Sequence, residues 1–245
     1  MKNLFLAIVF LGMSILFAHG PNHNKAEEAK KRGDYKSALK YSLIQLDEDL
    51  KTFGEYSKET VITYGRLGYF SEKVGQYEEA LVYSFKALKT QENLEIKNKS
   101  TTSTTYNNIG GIYSKLERYK EALEYYFKSL KMQEILFGTK HRAAAITHNN
   151  IAKVYRKQKD YTKALEHFKK SLAIRLETID KNNYSIASAH SSIGLVYFKQ
   201  GKYNNALVSL AKTLKIREKV FGREHSFTKK TQKNIDYIQK KMLLN

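Results

Sequence analysis

The sequence contains no cysteine. That excludes disulfides, thiolate metal sites, thiol catalysis and lipoprotein acylation, so the chain must hold itself by packing alone. Proline is almost missing too, Pro21 being the only one. Acidic residues are scarce, with 24 Asp and Glu against 43 Lys and Arg, for a formal net charge of +19. Such an excess favours anionic partners: acidic peptides, anionic lipid or cell-envelope polymers. A general abundance of Lys on solvated outer faces gives the same number without any partner. None of the sequence motifs of nucleic-acid modules is present, so nucleic acid is not expected among the partners. The glycines form no phosphate loop, and no Ser or Asp has nucleophile-elbow or triad context.

Long apolar runs are also missing, except at the start. Met1 and Lys2 precede an apolar run from Leu4 to Phe17, followed by Ala18-His19-Gly20. A short charged start, an apolar run and small residues after it predict a secretory signal peptide over residues 1–20. The chain is therefore expected to be exported, periplasmic or secreted. An uncleaved membrane anchor is the alternative, although a spanning helix needs about 20 apolar residues.

What fills the remainder is a repeat. Tyr119-x-x-Ala122-Leu123 recurs at Tyr35, Tyr77, Tyr161 and Tyr203, each with Ala-Leu at the same offset, and every step is 42 residues. A fixed period of this size predicts stacked helical units, none of which can bury its apolar face alone. Within the unit the pattern is Tyr106-x-x-Ile109-Gly110-x-x-Tyr113, then Ala122-x-x-x-Tyr126. The next two copies give His148, Ile151, Ala152, Tyr155, Ala164 and Phe168, then His190, Ile193, Gly194, Tyr197, Ala206 and Leu210.

These residues resemble the tetratricopeptide repeat, whose common period is 34. The 42-residue period, with Phe137-Gly138-x-x-His141 and Phe221-Gly222-x-x-His225 between units, resembles the kinesin light chain-like subclass. The resemblance runs from about residue 26 to the C-terminus. It departs from the family in lacking the helix-ending proline and most of the first helix of the first copy. The expected fold is all-α, a right-handed solenoid of antiparallel helix pairs over residues 21–245. Its units span about 26–57, 58–99, 100–141, 142–183 and 184–225, and residues 226–243 form a capping helix. Residues 21–25 are expected to be a flexible lead-in, and Leu39, Leu43 and Leu46 the apolar face of the second helix. Gly68, Gly110, Ala152 and Gly194 let a neighbouring helix approach closely, as Ala80, Ala122, Ala164 and Ala206 do from the other side. Leu81, Leu123, Leu165 and Leu207, with Leu88, Leu130, Leu172 and Leu214, are expected core. Phe-Gly closes the second helix at 53, 137 and 221 but not in the alternate copies, which suggests duplication of a pair of units 84 residues long.

For chemistry, the histidines are the first candidates. His141 and His225 share one repeat position and are expected to start helices. His148 and His190, 42 residues apart, occupy the aromatic slot of successive first helices. They can pack there, or approach each other and bind a metal, but no acid recurs beside them to complete a site. His23 would sit third in the chain after a cut at Gly20, a copper-chelating arrangement. None of these amounts to a metal site or a catalytic set, so no cofactor, no metal and no enzymatic activity are expected.

A surface remains. The resemblance implies that first helices line a concave groove, with residues three before, and one and four after, the small contact residue pointing into it. These positions hold Asn107, Gly111, Asn149, Lys153, Arg156, Ser191, Leu195 and Lys233, with Asn108 and Asn150 beside them. Asn has both donor and acceptor and can pair with the backbone of an extended peptide. Kinesin light chain-like grooves use asparagines in this register to hold peptides, and Asn107 and Asn149 match. The expected partner is a protein or peptide segment. A cationic adaptor for an anionic membrane or envelope surface, favoured by the basic stretch from Lys212 to Lys241, is the alternative.

Overall fold

Five residues mark where the helix pairs turn. Gly33, Gly75, Glu117, Lys159 and Gly201 all have φ between +59° and +85°, one in every 42-residue copy. The left-handed conformation ends a helix and reverses the chain. The residue after each bonds back across the turn, as Arg118 N–H does to the Tyr113 carbonyl at 2.9 Å.

The computed structural model describes residues 20–94, 99–178 and 183–244, among which there are eleven helices and no strand. Residues 1–19 of the expected signal peptide lie outside the described residues. The contacts divide the chain into two compact units, Met1–Asn98 and Lys99–Asn245, where the sequence predicts one unbroken array. The division falls at the alternate-copy end where Phe-Gly is replaced.

The first unit holds α1 (Pro21–Lys31), α2 (Tyr35–Phe53), α3 (Lys58–Val74) and α4 (Tyr77–Asn93), each packed on the next. Residues 21–25 are not a lead-in: α1 begins at Pro21, with Gly20 as its cap. Proline suits the first helical position because its fixed φ is helical and its missing N–H needs no partner there. Of the apolar face expected of α2, Leu39 and Leu46 pack against the core and Leu43 does not. Leu43 is 44% exposed, whereas Ala38, Ser42, Gln45 and Asp49 are buried. Asp49 accepts from Gln45 Nε2 at 2.8 Å and from the Thr63 hydroxyl at 2.5 Å, so the buried carboxylate is satisfied.

The second unit holds α5 (Lys99–Lys115), α6 (Tyr119–Phe137), α7 (Arg142–Lys157), α8 (Tyr161–Thr178), α9 (Tyr184–Lys199), α10 (Tyr203–Phe221) and α11 (Ser226–Leu243). Sequence neighbours pack on one another throughout, and α11 packs on α10. The small residues act as expected. A Cβ on Gly110 would stand 2.8 Å from the Tyr126 ring, and one on Gly68 2.7 Å from the Ser84 hydroxyl. Ala152, Ala164, Leu165, Phe168, Ile193 and Val196 form one buried cluster. Leu81, Leu88, Leu130 and Leu165 are buried, while Leu123, Leu172, Leu207 and Leu214 are only half-buried. Hydroxyls tie each pair further. Ser129 donates to the Ser103 carbonyl at 2.7 Å, Ser171 to Ala145 at 2.6 Å and Thr213 to Ala187 at 3.3 Å.

The Phe-Gly-x-x-His motif has a physical account. Gly138 and Gly222, at φ +80° and +83°, end α6 and α10. Phe137 then stacks on His141 at 4.4 Å between centroids and Phe221 on His225 at 4.6 Å. The Nδ1 atoms of His141 and His225 accept from the second residue of the following helix at 3.2 Å. Both histidines thus start helices, as expected. The alternate copies lack this device, and α4 and α8 stop at 17 and 18 residues where α2, α6 and α10 run to 19.

Candidate functional site

Within the second unit the expected groove residues come from α5, α7, α9 and α11. Asn107 on α5 is half-buried, and its carbonyl oxygen accepts from Asn150 Nδ2 at 3.3 Å and from the Thr147 hydroxyl at 3.4 Å. Asn150 and Thr147 are on α7, so a polar seam joins the two first helices. Asn149 is half-buried, and its side chain makes no hydrogen bond among the described residues. Asn108 is exposed. Gly111 has room for a Cβ, which would stand 3.6 Å from the Tyr126 hydroxyl.

Under that seam lies a contact that recurs between adjacent pairs. The second helix sends one side chain to a residue 14 positions on, in the next first helix. The Thr147 hydroxyl donates to Gln133 Oε1 at 2.9 Å, and Arg217 Nη1 donates to the Thr231 hydroxyl at 2.7 Å. Asp49 and Thr63 make the same contact in the first unit. At the α8 to α9 junction the pair is Arg175 and Ala189, which has no hydroxyl. Arg175 therefore bonds only through Nε to Ser171 Oγ at 3.2 Å, and no carboxylate among the described residues pairs with it. Burial, and then the charge of Arg142, lower its pKa.

Arg175 adds to a concentration of positive charge. The Lys153 side chain as a whole is exposed, yet burial around its ammonium lowers its pKa, and Arg156, Arg175 and Lys115 lower it further. Four cations thus share one field, and no acid among the described residues acts on Lys153 there. Lys153 and Arg156 were legible in the sequence. Lys115 and Arg175 were not, since Arg175 stands on a second helix and lacks, opposite Ala189, the hydroxyl partner that Arg217 has in Thr231.

Ser191 and Leu195 fall elsewhere, at a pocket of about 350 Å³ between α9 and α11, with Phe198, Lys230, Tyr237 and Ile238 among its lining. Lys233 is exposed on α11 and does not line it. Asn107, Asn149, Asn150, Lys153 and Arg156 therefore form one stretch of surface, and Ser191 and Leu195 an apolar one beyond it.

The histidines separate. His148 does not pair with His190. Its Nδ1 lies 3.0 Å from Nδ1 of His167 on α8, and both are buried. Burial, then the neighbouring His167 and Lys170, push the pKa of His148 down to about 4. The two imidazoles are therefore neutral near pH 7, one donating to the other. Among the described residues no group of three or more His, Cys, Asp or Glu could hold a metal ion. Likewise no described helix is long and apolar enough to cross a membrane.

The comparisons agree with the helix-pair fold. Tetratricopeptide-repeat family models match residues 101–177 and 186–226. No curated protein sequence matches the chain. Among solved structures, BtubC (BKLC) from P. vanneervenii is 22% identical, with TM-score 0.70 over 82% of this chain and 80% of that one. A kinesin light chain-type protein of nearly identical TPR-like repeats from Podosopora anserina is 16% identical, with TM-score 0.68 over 82% and 95%. The apo form of RapI is 20% identical, with TM-score 0.72 over 91% and 83%. Residues 101–177 and 186–226 thus match tetratricopeptide-repeat models, and the helix-pair fold is similar to that of the kinesin light chain-type protein.

Proposed function

We propose that the chain is a non-enzymatic interaction module whose second unit binds a peptide or protein segment in the groove of its first helices. The observation that carries this is Asn149, half-buried with no side-chain hydrogen bond among the described residues, beside Asn107, Asn150 and a set of cations in which no described acid acts on Lys153. Asn107 and Asn149 would hold the ligand backbone, and Lys153 and Arg156 an acidic side chain or C-terminal carboxylate. Tetratricopeptide repeats commonly serve as such scaffolds, and that supports the general reading.

The test begins with peptides selected on the intact protein. Asn149→Ala should weaken all of them alike, by about tenfold for one lost charge-free or charge-assisted bond. Lys153→Glu should select against acidic ligands and reverse the salt dependence. Both variants should melt as the parent does, because neither residue is core. Unchanged affinity in both variants would sink the groove.

A second reading has its own support. Residues 20–98 carry 13 basic and 13 acidic residues, while residues 99–245 carry 29 and 11. All of the excess charge is in the second unit, as an adaptor for an anionic membrane or envelope surface would require. That reading leads if Lys230→Glu or Lys240→Glu abolishes binding to anionic vesicles while Asn149→Ala changes nothing. Export belongs to the same proposal. Residues 1–25 fused to a reporter should carry it across the membrane, and a cytoplasmic reporter retaining Met1 would contradict it.

A further inference from the structure

The aromatic slot of the repeat is filled in the same way several times and then is not. The first helices α3, α5, α7 and α9 present a ring there, and in three of these pairs the second helix supplies another 19 residues on. Tyr64 meets Tyr83 with centroids 6.4 Å apart, Tyr106 meets Tyr125 at 6.0 Å and His148 meets His167 at 5.2 Å. In the last copy the first ring is His190 and its partner position is Ser209, whose short side chain cannot reach it. Ser209 donates instead to the Asn205 carbonyl at 2.9 Å. His190 is left half-buried, with no hydrogen-bond partner among the described residues.

A second change accompanies the first. Three residues after each partner position stands a lysine: Lys86, Lys128, Lys170 and Lys212. Lys128 is held by Glu124 and Lys170 by Glu166, both at 2.7 Å. The corresponding position before Lys212 is Val208, which is 59% exposed. Lys212 therefore makes no ion pair among the described residues. Where the two preceding copies have a ring and an acid, this copy has open space and a cation with no ion pair among the described residues; the copy with Lys86 has Val82 in place of the acid but keeps its ring, Tyr83.

The space is an open pocket at the surface. About 360 Å³ opens between α8, α9 and α10, lined by Lys169, His190, Tyr197, Ser209 and Lys212 among others. That is within the range of small-molecule sites. Its lining includes two lysines and an imidazole but no carboxylate. Lys169 also lies 5.9 Å from the centre of the Tyr197 ring. An apolar slot shaped for a ring, with cations at its rim, suits a flat ligand carrying negative charge.

We infer that this cavity is a binding site for a small aromatic carboxylate, whose ring takes the place of the missing side chain and whose carboxylate meets Lys212. The imidazole of His190 stands against the ligand ring, as His148 stands against His167, and Lys169 adds a second cation. The site uses none of the groove residues and is independent of peptide binding.

The probe is 2-naphthoate, titrated into the intact protein and followed by nuclear magnetic resonance at the His190 ring protons. Saturable shifts are expected, with the neutral 2-naphthamide binding at least about tenfold more weakly, as for one lost charge-assisted bond. Lys212→Gln should cost 2-naphthoate about the same factor. The double variant Val208→Glu, Ser209→His rebuilds the arrangement of the preceding copy, so it should melt no lower than the parent and lose saturable binding. The inference is overturned if the parent shows no saturable shift up to about 10 mM, or if the double variant, still folded, binds as well as the parent.

Discussion

Acid should loosen the α7–α8 pair through two side chains. His148 and His167 are each buried, and Tyr155 and Phe127 pack against His167. Among the described residues, the charged groups acting on the pair are Lys170, which disfavours protonation, and Glu166, which favours it. Burial first, then His167 and Lys170, bring the pKa of His148 to about 4, against about 6.5 for an unfolded histidine. The folded state thus binds fewer protons than the unfolded one between those values. Stability falls as pH drops through about 6.5 and stops falling below about 4. For one proton taken up by the pair, the loss between about pH 7.5 and about pH 5 is about 2 kcal/mol. Exposed carboxylates stay ionised over that window and contribute little. A loss of this size lowers the melting temperature of a chain this long by about 4–8 °C. The measurement is thermal melting by circular dichroism at both pH values, for the parent and for His148→Tyr with His167→Tyr. That variant copies the Tyr106 and Tyr125 pair of the preceding unit and has nothing to protonate. It should lack the extra loss on acidification. An equal loss in the double tyrosine protein would refute the assignment to this pair.

Four further outcomes follow from packing and backbone geometry. Gly110→Ala should destabilise by roughly 1–3 kcal/mol, because its Cβ meets the Tyr126 ring at 2.8 Å, as chemical denaturation would register. Its neighbour provides the contrast: Gly111→Ala, with 3.6 Å of room, should stabilise by about 0.5–1 kcal/mol through helix propensity. Lys159→Gly should stabilise by up to about 1 kcal/mol, since Lys159 is held at φ +64°, where a side chain costs more than glycine's entropy. Ile151→Ala, at a position with no exposure at all, should lower stability by about 2–5 kcal/mol and leave the helical far-ultraviolet spectrum in shape.

The helix pairs were legible because a fixed period, a small contact residue and a turn recur together, and each has one physical solution. Phe-Gly-x-x-His was legible for the same reason, and its stacking and capping roles explain the spacing. Other features depended on partners that the 42-residue register does not place side by side. His148 looked aligned with His190, one repeat on, yet its contact is His167, 19 residues on, across the hairpin. On α2 the leucines drew the eye, but the junction contact to Thr63 pulls Asp49 and Gln45 inward and turns Leu43 out. Of the groove, Asn107, Asn149, Lys153 and Arg156 could be read from register. Arg175 could not, because its significance lies in what Ala189 lacks.

The junction contacts also bear on how such a chain can lengthen. Gln133 meets Thr147 and Arg217 meets Thr231, but Arg175 faces Ala189. Suppose residues 184–225 alone were copied in tandem. Arg217 would then face the alanine of the new copy and lose its hydroxyl acceptor, adding another unpaired guanidinium to the stack. Copying residues 142–225 instead would bring Thr147 opposite Arg217, behind a helix still closed by Phe221 and Gly222. The grammar of extension is thus a doublet of 84 residues, the same interval that separates the Phe-Gly stops. Growth by single units makes every added seam an arginine facing an alanine, whereas growth by doublets alternates that seam with one in which an arginine meets a threonine.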